Sequence, residues 1–174
     1  MNAPQGDARR EGEASPVNPS DADRAMRQLT WALGAAGLLP FFGNAFFSWV
    51  VPPGEAEGVL RSQAHYAASI LTFLGALHWG VVLASARPFV PRHGIRLVWG
   101  VIPSIFCWIV TLYPAALALP LLFFALPVVL AADLLFYRGT PVPRWFMPLR
   151  VTLTCGATAC VGASWLALSV RLAP

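Results

Sequence analysis

Apolar positions run along this chain in blocks of about twenty residues, separated by short stretches where Pro, Gly and Arg accumulate. About twenty residues at roughly 1.5 Å per residue cross the roughly 30 Å of a bilayer's hydrocarbon. The pattern therefore predicts an all-α integral membrane bundle of five transmembrane helices, at about 29–51, 64–86, 95–113, 115–137 and 151–170. Pro52, Pro53 and Gly54 end the first span, since proline neither donates a backbone bond nor tolerates the preceding turn. Arg87 and Pro88 close the second. The third reaches only Pro114 before the fourth begins, so Tyr113 and Pro114 carry a tight helical hairpin. The fifth has no charge between Arg150 and Arg171.

Residues 1–26 break this pattern. They mix Pro, Gly, Ser and both signs of charge and have little to bury, which predicts a disordered tail ahead of a five-helix domain at 27–174. Asp7, Glu11, Glu13, Asp21 and Asp23 argue against both a signal peptide and a mitochondrial transit peptide.

Composition agrees with a membrane chain: 57% of the residues are hydrophobic and 11% charged, against roughly 45–50% and 25% in soluble domains. All 12 basic residues are arginine. With the abundant Ala, Leu, Val and Pro this suggests a GC-rich bacterial genome, hence a bacterial inner membrane. The net charge of +4 does not imply nucleic acid, because the arginines are scattered singly between apolar blocks rather than gathered on one face. Their distribution orients the chain instead. With the N-terminus cytoplasmic, ten arginines lie inside and only Arg61 and Arg171 outside, where the first loop PPGEAEG carries two acids and no base. The C-terminus is then outside. Trp31, Trp49, Trp99 and Trp145 fall near span ends, as interfacial aromatics should.

Helices in lipid associate by close backbone approach at small residues. In the second span Ala64, Ala68, Thr72, Ala76, Gly80 and Ala84 recur every four residues, and in the fifth Thr152, Gly156, Cys160 and Ser164 repeat the device. Of these, Ala68, Thr72, Ala76, Gly80, Gly156 and Cys160 are the expected helix-packing positions. Pro40, Pro103, Pro120 and Pro127 lie within spans and kink them unless neighbours compensate.

The polar residues inside the spans carry any chemistry there is. His78 points away from the small-residue stripe, toward the face of Leu71, Leu74, Gly75 and Ser85, so a second interface is expected there. Asp133 is the one acid within a span, and the parallel course of the second and fourth spans puts it at a depth similar to His78. A carboxylate at the centre of a membrane helix costs about 2.5–3.5 kcal/mol and usually pairs or faces a cavity. Its expected partner is His78 or one of Arg138, Arg144 and Arg150. Such a pair is either a buried lock between helices or part of a proton relay or polar ligand site. Asn44 lies four residues after Pro40 and is expected to satisfy backbone that the proline frees. Gln63 and His65 sit at the outer end of the second span, His65 at the interface.

Cys107, Cys155 and Cys160 lie in apolar segments without zinc-site spacing and are read as small hydrophobes. No metal site, cofactor or catalytic residue is expected. Neither GxSxG, HExxH, a phosphate-binding glycine loop nor paired catalytic carboxylates occur, which argues against an enzyme.

The stretches ILTFLGALHWG, LVWGVIPSIFCWI and ADLLFYRGTPVPRWFMPLRVTLT resemble the small multi-span membrane proteins of domain-of-unknown-function family 3429. The resemblance covers about 29–168. It implies short hydrophobic helices in a bacterial inner membrane or its mitochondrial descendant. It also implies that His78, Trp79, Gly80, the Trp99–Pro103 stretch, Asp133, Arg138, Trp145 and Arg150 matter, and it brings no activity. The expected role is a non-enzymatic accessory, assembly or scaffold component. The alternative is a small proton-coupled transporter or permeation unit. The bilayer, another membrane protein and anionic lipid are the partners considered.

Overall fold

A computed structural model describes residues 19–85, 88 and 90–171, which form five α-helices. They are α1 (Pro19–Val50), α2 (Pro53–Ala84), α3 (Pro91–Val110), α4 (Ala115–Phe136) and α5 (Phe146–Arg171). All five are long and apolar enough to cross a membrane. Proline sets several boundaries: Pro53 and Pro91 open α2 and α3, where a ring that fixes φ and lacks an N–H costs nothing. Pro114 precedes α4, and Pro148 lies in the first turn of α5.

Several boundaries differ from the expected ones. Helix α1 starts at Pro19, so residues 19–26 of the expected tail are helical, while residues 1–18 lie outside the described residues. Hydropathy marks where a segment becomes apolar, not where helical hydrogen bonding begins. The stretch PPGEAEG is likewise not a loop: only Val51 and Pro52 join α1 to α2, and Glu55 sits in the first turn of α2, where the helix dipole favours an acid. At 32 residues each, α1 and α2 are about 48 Å long and exceed the hydrocarbon thickness. Helix α3 runs from Pro91 rather than 95 and ends at Val110, so residues 111–114 make the hairpin to α4. Helix α5 starts at Phe146 rather than 151.

Helix α2 is central and touches each of the other four, while α3 and α4 make the thinnest contact. The core lies between α2, α4 and α5, around Leu60, Ala67, Leu71, Leu119, Leu122, Leu126 and Val161. Outward positions on every helix are apolar as well, including Leu33, Leu83, Val98, Trp108, Phe124, Val128 and Leu166. An apolar exterior around a small-residue interior suits lipid as the solvent. Hydroxyls along the helices are absorbed locally: Thr30, Ser48, Ser69, Ser104, Thr111 and Ser169 each donate to a carbonyl three or four residues back. Asn44 does the same with the carbonyl of Pro40 itself, 3.0 Å away.

The four-residue stripe on α2 is not its packing face. Ala64 and Ala68 are buried and Thr72 is half-buried, but Ala76, Gly80 and Ala84 are exposed. A step of four residues overshoots a 3.6-residue turn by roughly 40°, so the stripe winds off the interface within a few turns. The buried face follows the helical period through Leu60, Gln63, Ala67, Leu71, Leu74, Gly75 and His78. On α5 the expectation fares better. Cys160 and Ser164 are buried, and Gly156 lets Leu38 of α1 approach, its methyl lying 3.1 Å from where a Cβ would be. Thr152, which opens that stripe, is exposed.

Candidate functional site

His78 and Asp133 meet. The site lies where α2, α3, α4 and α5 converge near the loop between α4 and α5, and four of its polar side chains, His78, Arg96, Asp133 and Arg150, are all buried. Each comes from a different helix. His78 Nε2 is 2.9 Å from Asp133 Oδ1. Arg150 Nη2 donates to the other carboxylate oxygen, Oδ2. Arg96 Nε donates to His78 Nδ1 over 3.2 Å.

These contacts define the histidine's tautomer. A guanidinium has no acceptor, so Nδ1 must offer its lone pair to Arg96, and the ring proton resides on Nε2 and is donated to Asp133. The chain of donors runs Arg96 to His78 to Asp133, with Arg150 closing on the far oxygen. Aromatic rings line the imidazole: Phe136 edge-on with centroids 5.4 Å apart, and Tyr137 at 5.3 Å. Arg96 Cζ lies 4.7 Å over the Tyr137 ring, and its Nη1 donates to Thr140 Oγ1 at 3.1 Å. The Thr140 hydroxyl donates in turn to the Phe136 carbonyl at 3.2 Å.

The charges do not balance. One carboxylate faces two guanidiniums, and Arg150 takes the Asp133 oxygen that His78 leaves free. Arg96 is held by neutral groups alone: an imidazole nitrogen, a hydroxyl and an aromatic face. Its Nη2, together with Nε of Arg150 and Nε1 of Trp99, is buried without a hydrogen-bond partner among the described residues.

Of the expected partners of Asp133, His78 and Arg150 are both present. Arg138 and Arg144 are exposed and make no ion pair with it; the α4–α5 loop turns back at Gly139, whose φ of +72° suits glycine, and directs them away. Arg96 is a site residue that its place among the inner-side arginines does not reveal. The available signal was its spacing: Arg96, Gly100, Pro103 and Cys107 recur at three or four residues and form the buried face of α3. Tyr137 and Thr140 carried no sequence signal. Gln63 is fully buried near the opposite end of α2, and Ser164 of α5 is likewise buried; among the described residues neither side chain has a hydrogen-bond partner. His65 is exposed, its Nδ1 2.7 Å from the Arg61 carbonyl. Among the described residues no three His, Cys, Asp or Glu side chains gather to hold a metal ion. Cys107 and Cys160 are buried, whereas Cys155 is exposed.

Fold and site together define a multi-pass helical membrane protein whose helices converge on a buried charge cluster. The chain belongs to the family described as "Protein of unknown function (DUF3429)", whose profile matches residues 26–166. It is similar to "Transmembrane protein 69" of Xenopus tropicalis, 31% identical over 140 residues, covering 79% of this chain and 54% of that protein. The Mus musculus protein of the same name is 31% identical over 121 residues, covering 68% of this chain and 48% of its own length. The chain thus spans about half the length of these curated relatives. No solved structure matches.

Proposed function

We propose that this protein is a non-enzymatic accessory, assembly or scaffold component of a bacterial inner membrane, with its N-terminus cytoplasmic. The observation that carries the reading is the saturation of the His78–Asp133 pair. Both imidazole nitrogens and both carboxylate oxygens are taken by protein groups from neighbouring helices. Groups so engaged hold helices together; a proton carrier or ligand site needs one of them free to face water. The cytoplasmic N-terminus draws on the arginine bias of the sequence, and the bacterial location on its lysine-free composition.

Solvent access tests the reading. Single cysteines at Leu74 and Val129, in a chain whose own three cysteines are replaced, are expected to resist a membrane-impermeant polar thiol reagent. Rapid modification at both would overturn the scaffold reading. His78→Ala and Asp133→Asn are expected to lower the amount of folded protein in the membrane. Full abundance with loss of the cellular phenotype would contradict a structural role.

The second reading is a small proton-coupled permeation unit. Gln63 and Ser164 favour it, because two fully buried polar side chains without partners, in the half of the bundle away from His78, are what a polar path would require. The same cysteine experiment separates the two.

A further inference from the structure

A concavity of ligand size opens on the exterior of the bundle where α3 and α4 touch least. It is a groove of about 440 Å³, within the range of small-molecule sites. Leu71 forms its floor; Trp99, Pro103 and Phe106 form one wall and Leu121, Ala125 and Val128 the other. All of its lining residues are apolar or aromatic. From Trp99 to Phe106, and from Val129 to Leu121, it follows the helix axes for about 10–12 Å.

The end of the groove at Trp99 is strongly cationic. Arg92 and Arg138 are exposed beyond that end, Arg92 two turns before Trp99, and Arg92 Nη2 donates to the backbone carbonyl of Arg138 at 3.3 Å, so one guanidinium bridges the start of α3 and the end of α4. Arg96 lies one turn further along α3 and one turn before Trp99. None of the three arginines has a carboxylate partner among the described residues, because Asp133 is occupied by His78 and Arg150. Arg96 Nη2 and Trp99 Nε1, both buried, have no acceptor among the described residues. The N-terminus of α3 adds its own positive end to this group.

An apolar trough with unneutralised cations beyond one end has the complement of an anionic amphiphile. We propose that the α3–α4 groove is a specific seat for one anionic phospholipid, with an acyl chain lying along Trp99, Phe106, Ala125 and Val128. Its phosphate would sit on Arg92 and Arg138, with Arg96 behind them. The site is separate from the scaffold role proposed for the His78–Asp133 pair and depends only on the chain spanning a membrane.

Native mass spectrometry of the full-length protein tests the proposal, after incubation in mixed micelles with dioleoyl phosphatidylglycerol or dioleoyl phosphatidylcholine. One phosphatidylglycerol is expected to be retained, roughly tenfold in preference to phosphatidylcholine, given two or three basic groups at a membrane surface. Val128→Trp alters a lipid-exposed position, so the bundle should fold, and it should abolish retention of either lipid by filling the groove. Arg92→Gln with Arg138→Gln should bring the two lipids to parity while the groove still holds a chain. Equal retention of both lipids by the unmodified protein would overturn the proposal. So would undiminished phosphatidylglycerol retention by Val128→Trp, which would put the lipid on surface arginines outside the groove.

Discussion

Gly75 of α2 and Gly100 of α3 cross backbone to backbone. A Cβ built on Gly75 would lie 2.5 Å from the Gly100 carbonyl oxygen, and one built on Gly100 would lie 2.8 Å from the Gly75 oxygen and 2.7 Å from Trp79 Cδ1. Trp79 caps the crossing by donating its indole N–H to the Leu97 carbonyl at 3.0 Å. Arg96 can reach His78 because these glycines let the two helices approach closely, one turn away from each residue. Packing therefore sets the geometry of the charged site.

Gly100→Ala has no room at this crossing, since the atoms in the way are backbone and a held indole. It should destabilise the bundle by about 1–3 kcal/mol. Gly75→Ala should do the same. Thermal unfolding in a mild detergent reads both, and an unchanged midpoint for Gly100→Ala would contradict the close approach.

Gly80→Ala is the matched contrast. Gly80 belongs to the four-residue stripe but meets nothing within 4 Å. Adding a methyl there should be neutral or stabilise by up to about 1 kcal/mol through helix propensity. Destabilisation comparable with Gly100→Ala would mean that the stripe is an interface after all.

Asp133→Asn leaves the Arg150 guanidinium buried without its counter-charge and should cost about 3–5 kcal/mol. Replacing both partners, Asp133→Leu with Arg150→Met, removes the orphaned charge and should be less damaging than Asp133→Asn alone. Folded yield in the membrane ranks the variants. A double variant worse than Asp133→Asn would show that the lock stabilises beyond cancelling its own desolvation.

Arg171 closes the other end of the bundle. Its Nη1 and Nη2 donate to the carbonyls of Ser48 and Val51, at 2.7 and 2.9 Å, tying the last turn of α5 to the end of α1. Arg171→Gln should cost about 1 kcal/mol. Amide hydrogen exchange should quicken at 48–51 while the Leu122–Val129 core stays protected.

Much of the architecture was legible because membrane insertion is a local property. About twenty apolar residues partition into lipid whatever their neighbours do, so five spans follow from hydropathy alone. Their ends followed less well. Pro53 and Pro91 open helices well before the apolar run begins, because hydrogen bonding continues through polar turns that hydropathy cannot see. The His78–Asp133 pair was legible for an energetic reason: a lone carboxylate in lipid is costly enough to demand a partner, and the parallel spans put the imidazole at its depth.

The sequence by itself determined that the chain spans a membrane with five helices, and that Asp133 needs a partner, with His78 and three arginines as the candidates. Only the tertiary structure decided that Arg150 rather than Arg138 or Arg144 neutralises Asp133, that Arg96 enters the site, and that α3 and α4 part to leave a groove. Those outcomes depend on how helices rotate and cross. A 3.6-residue turn carries the Ala76 and Gly80 stripe away from the interface and brings Gly75 onto it, and the approach of Gly75 to Gly100 then decides which arginine reaches His78.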